Sequence, residues 1–63
     1  MCESSAFMLG KNNEINKIMD YIVKVEPYND KVYLTDLFGN KKIIDGVIKE
    51  MILMDHKIIL EEK

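Results

Sequence analysis

The chain of 63 residues has no arginine and no tryptophan, and only one cysteine, one histidine and one proline. Each scarcity removes a class of fold or function. The single cysteine, Cys2, cannot close a disulfide within the chain. One cysteine and one histidine cannot furnish the usual soft ligands of a closed zinc site unless a symmetric oligomer contributes more. Without arginine, the planar fork that suits phosphates and guanine edges is missing. Nine lysines are interleaved with eleven acidic residues for a formal net charge of -2, and Lys41-Lys42 is the one adjacent basic pair. A chain with no basic field has little electrostatic pull on a polyanion, which weighs against nucleic acid as a partner. The three glycines stand apart, so no phosphate-cradling loop is present.

Long apolar runs are also lacking. The longest uninterrupted stretch, for example residues 51–54, has four residues, against the roughly 20 that a membrane-spanning helix needs. No basic segment followed by an apolar one opens the chain, so no secretory signal is read. The expectation is a cytoplasmic protein that does not engage a membrane and whose lone thiol stays reduced.

What is present is a high apolar content, 48% of residues, much of it isoleucine and valine. That composition favours buried strands over disorder. A chain this short holds one domain, residues 1–63, and a domain of this size is marginally stable unless closure, a metal or a partner chain helps. Turn residues recur about every ten positions, which predicts an all-β meander. Strands are predicted near residues 4–9, 20–26, 31–37, 41–45, 46–54 and 57–62. Residues 14–19 are ambiguous: Ile15, Ile18, Met19 and Ile22 carry helical spacing, so a helical turn or irregular bend is expected there. Pro27 should end the second strand, because it cannot donate to a central ladder. Gly39-Asn40 should turn a hairpin and Gly46 should bend the chain. Five or six short strands make a small curled sheet or barrel, in which closure or dimerisation removes the open edges.

Few residues can do chemistry. Cys2 reads either as an inert small side chain near the terminus or as a ligand. The ligand reading depends on processing. If Met1 is removed, Cys2 carries both a free amine and a thiol, which can close a five-membered chelate. The Glu3 amide can add a further nitrogen. A nitrogen–sulfur set of this kind suits nickel or copper in square-planar geometry. Two chains related by a two-fold axis would bring two such chelates to one ion. His56, in the turn MDHK, reads as a solvent-facing residue. A Cys2–His56 nucleophile pair would lack an orienting third group, so an enzyme is not expected. The tyrosines and phenylalanines could stack on single-stranded RNA. Core and dimer-interface packing is the simpler reading, and the methionines read mostly as core filler.

The start Met1-Cys2, the run Leu34-Thr35-Asp36-Leu37-Phe38-Gly39, and Asp45-Gly46 followed by Val47-Ile48 together resemble the CooT family. The resemblance extends over nearly the whole chain. Members are small proteins associated with nickel delivery to carbon monoxide dehydrogenase, and some relatives carry the label of predicted RNA-binding proteins. The resemblance implies an SH3-like β-barrel, a homodimer, and Ni²⁺ bound at the amino terminus through Cys2. Glu3 would contribute a backbone nitrogen or negative charge beside the ion. A nickel-binding accessory protein is therefore expected. A non-catalytic nucleic-acid or protein interaction module is the alternative.

Overall fold

The computed structural model describes residues 3–62. These form five strands and no helix: β1 (Ser4–Leu9), β2 (Ile15–Tyr28), β3 (Lys31–Asp36), β4 (Lys41–Ile52) and β5 (Lys57–Glu62). They close into a barrel in the order β1-β2-β3-β4-β5. The expected all-β architecture is present, with five strands, compatible with a small SH3-like barrel. Each strand runs antiparallel to the one before it. With an odd number of strands, the first and last must then run the same way. Accordingly β1 and β5 close the barrel as a parallel pair, Ala6 opposite Ile58 and Met8 opposite Leu60.

The two long strands each serve two neighbours in succession. β2 pairs with β1 through Ile22, then with β3 from Ile22 to Tyr28. β4 pairs with β3 from Lys41 to Asp45, then with β5 from Gly46 to Ile52. The corners of the barrel therefore lie at Ile22 and Gly46. Two expectations are corrected here. Residues 41–45 and 46–54 are not separate strands but one bent strand that ends at Ile52, and the bend at Gly46 does not interrupt it. The predicted second strand, 20–26, is the middle of a longer one that begins at Ile15 and runs through Pro27. Pro27 is tolerated because this half of β2 has a strand neighbour on one side only, where a missing donor costs little.

The helical turn expected at 14–19 is also absent. β2 instead carries bulges. Ala6 faces Met19 and Phe7 faces Lys17, which leaves Ile18 as an extra residue. Ser4 faces Ile22, so Asp20 and Tyr21 together oppose Ser5 alone. Each bulge flips the alternation of side chains. Ile18 and Met19 are consequently both half-buried, and the apolar positions fall three and four apart without a helix.

The core is formed by Ala6, Ile22, Val32, Leu34, Ile58 and Leu60, with Met8, Ile18, Met19, Val25, Ile44 and Ile48 packed against it. β3 shows the plain alternation of a strand with one buried face: Val32, Leu34 and Asp36 are buried, and Tyr33 and Thr35 are not. The methionines divide. Met8 and Met19 fill core gaps, but Met51 and Met54 are 49% and 93% exposed, so the core-filler reading fails for them. Tyr21, Tyr28 and Phe38 are likewise exposed, so the core part of the packing expected for the aromatics does not hold for these three.

Candidate metal site at the amino-terminal end of the barrel

Cys2 lies outside the described residues, and Glu3 is the first of those described and is exposed. The structure nonetheless places the strand that follows them. Ser4 is opposite Ile22, and Ser5 is opposite Lys57. The Ser5 N–H donates to the His56 carbonyl at 2.9 Å, and the Ser5 hydroxyl donates to the Asp20 carboxylate at 2.7 Å. The start of β1 is thus held between the β2 bulge on one side and the β4–β5 turn on the other. Asp20 also pairs with Lys17 at 3.3 Å. The bonds from Ser5 and then Lys17 hold its carboxyl below the ordinary value.

The β3–β4 turn meets the same end. The Leu37 N–H donates to the Tyr21 carbonyl at 2.8 Å. Asp36 organises this turn. Its Oδ1 accepts from the Phe38 N–H at 2.9 Å and the Asn40 N–H at 2.8 Å, and its Oδ2 accepts from the Asn40 side-chain amide at 3.0 Å. Burial acts to raise the Asp36 pKa, but the bonds from Asn40, Phe38 and Gly39 outweigh it and hold the carboxyl below its ordinary value. Gly39 takes φ 88°, the left-handed conformation that a glycine adopts without strain. The stretch from Leu34 to Gly39 is therefore strand and turn scaffold.

Among the described residues, no group of three or more His, Cys, Asp and Glu side chains converges as a metal site. His56 is exposed in the β4–β5 turn at φ 54°, with Asp55 exposed beside it. What sequence reasoning missed is the surface around the start of β1. Tyr21, Val23, Leu37, Phe38, Leu53 and Met54 are all exposed there, 40% for Tyr21 and more for the rest. Their alternation and apolar character mark them as strand and turn residues, and nothing in that pattern reveals that the barrel turns them outward.

Residues 1–61 match the family described as CO dehydrogenase accessory protein CooT. An uncharacterized protein of Methanocaldococcus jannaschii is 38% identical over 61 residues, covering 97% of this chain and 98% of that protein. A crystal structure of putative CooT from Carboxydothermus hydrogenoformans superposes with a TM-score of 0.86 at 32% identity, covering 98% of each chain. The match spans every strand and both corners of the barrel and takes in the amino-terminal Cys2, and the chain belongs to the CooT family of CO dehydrogenase accessory proteins.

Proposed function

We propose that this chain is a nickel-binding accessory protein that supplies or buffers Ni²⁺ for CO dehydrogenase and has no catalysis of its own. The observation that carries this reading is the family match over residues 1–61, which includes the one residue able to act as a strong soft donor. Once Met1 is removed, Cys2 offers a thiolate and an amine on one residue. The Glu3 amide adds a third donor when deprotonated. Such a set holds Ni²⁺ in planar geometry and releases it when protons compete. One chain offers too few donors for a closed site, so two chains acting as a homodimer complete the coordination. The protein works in the cytoplasm, where an unpaired thiol stays reduced. No helix among the described residues is long and apolar enough to cross a membrane.

The test is the metal content of untagged protein purified from nickel-supplemented cells, beside protein carrying a tag ahead of Met1. Nickel in the untagged protein and its loss from the tagged form is the expected result. Equal metal content in both, or none in either, returns the chain to the interaction-module reading.

A further inference from the structure

Four of the five methionines fall among the described residues, and the barrel sorts them into two kinds. Met8 and Met19 pack against the core. Met8 stands between Asn16 of β2 and Leu60 of β5, and Met19 pairs with Ala6 of β1. Met51 and Met54 are turned outward. Met51 is 49% exposed near the end of β4. Met54 is 93% exposed in the β4–β5 turn, more than any other large apolar side chain described.

A methionine thioether is readily oxidised to the sulfoxide, which is polar and chiral. Two conditions decide which thioether reacts without harm to the fold. The first is access, and Met54 meets solvent on nearly every side. The second is tolerance of the added oxygen. Backbone bonds close the turn: the Asp55 N–H donates to the Ile52 carbonyl and the His56 N–H to the Leu53 carbonyl, both at 3.2 Å. The Ser5 N–H then ties the turn to β1 through the His56 carbonyl. None of these bonds uses the Met54 side chain, so an oxygen on its sulfur breaks none of them. Met8 and Met19 fail both conditions. A sulfoxide there would set a polar oxygen beside Leu60 or Ala6, both fully buried, where desolvation without a partner is costly.

We infer that Met54 is a reversible oxidation site for hydroperoxides, with Met51 a slower second. A lone pair of the Met54 sulfur attacks one peroxide oxygen, and the S–O bond forms as the O–O bond breaks. Sulfur gives up two electrons and the peroxide takes them. The proton of the transferred hydroxyl passes to the departing hydroxide, which leaves as water. In the reverse step a methionine sulfoxide reductase supplied with a dithiol returns two electrons. The sulfoxide oxygen leaves as water and the dithiol becomes a disulfide. Residues 51–54 carry no charge, so the cycle turns an apolar stretch polar and back while the barrel stays folded.

The experiment treats the untagged full chain with excess hydrogen peroxide and follows each added oxygen by tandem mass spectrometry of the digested protein. Met54 should react roughly tenfold or more faster than Met8 and Met19, with Met51 between. In denaturing urea the four rates should converge to within about twofold, because the fold sets the order. Met54→Leu keeps the size and apolar character without the thioether. It should lose the fastest phase and leave the Met8 and Met19 rates unchanged. Protein oxidised at Met54 alone should keep the parent's far-ultraviolet dichroism and melting temperature, and sulfoxide reductases with dithiothreitol should remove the oxygen. Oxidation of Met8 or Met19 as fast as Met54 in the folded chain overturns the inference. So does the same order of rates persisting in urea, unfolding on oxidation of Met54 alone, or a Met54 sulfoxide that the reductases leave in place.

Discussion

Gly46 lies directly against the backbone of Glu61: a Cβ added at residue 46 would stand 2.3 Å from the Glu61 carbonyl oxygen and 3.1 Å from its carbon. The same glycine donates its N–H to the Asp30 carbonyl at 2.7 Å. Here β4 leaves β3 and joins β5, so three segments converge on one residue with no room for a side chain. The role of Gly46 is close approach at a corner. Either Gly46→Ala or Gly46→Val should cost about 2–4 kcal/mol, because backbone rather than a flexible side chain must move. Denaturant unfolding measures this, and an unchanged midpoint would contradict the close-approach account.

Asp36 makes a pH-dependent contribution. Its carboxyl is held below the unfolded value of about 3.8. A group whose folded pKa is depressed stabilises the fold above its unfolded pKa and loses that contribution as pH falls through the folded one. Asp36→Asn should therefore melt several degrees below the parent at neutral pH, and the gap should close as pH falls below about 4. Thermal melts from pH 7 down to pH 2.5 check this. A gap that stays constant across the range would show that the charge of Asp36 is not what braces the turn.

Leu34 and Leu53 are both leucines in apolar stretches, yet Leu34 is fully buried and Leu53 is 78% exposed. Leu34→Ala should cost about 3 kcal/mol through lost burial and a cavity. Leu53→Ala should change monomer stability by about 0.5 kcal/mol or less. Unfolding of both variants at concentrations low enough to hold the protein monomeric separates the two. Equal losses would mean that the β4–β5 turn packs more tightly than the structure shows.

The contrast between those two leucines explains how far the fold was legible. β1, β3 and β5 were readable because each is short, regular and bounded by turn residues. β3 alternates plainly through Val32, Leu34 and Asp36. β2 was misread because its bulges at Ile18 and at Asp20-Tyr21 break the two-residue period and counterfeit a helical stripe. β4 was divided because Asp45-Gly46 looks like a terminator, whereas the glycine serves close approach within a continuous strand. Pro27 misled for a related reason: whether a strand has neighbours on one side or both depends on tertiary pairing, which local pattern does not contain. Cys2, the expected ligand, lies outside the described residues. The exposed apolar residues were not legible, since Tyr21, Phe38, Leu53 and Met54 resemble core residues until the barrel turns them outward.

Nickel binding should weaken as pH falls, because protons compete for the amine and the thiolate. His56 is outside the proposed donor set, so His56→Ala should leave both affinity and its pH dependence unchanged within about twofold, well below the tenfold that 1.4 kcal/mol represents. Titrations at pH 6, 7 and 8 test this, and a His56→Ala variant with a flattened pH profile would assign the imidazole to the site.

The central claim is that the amino-terminal residue holds the metal, and calorimetric titration of Ni²⁺ into untagged parent and Cys2→Ala tests it most directly. The account predicts tight binding by the parent and its loss in Cys2→Ala, with the far-ultraviolet dichroism of the β-barrel unchanged. Binding by Cys2→Ala as tight as by the parent would contradict it.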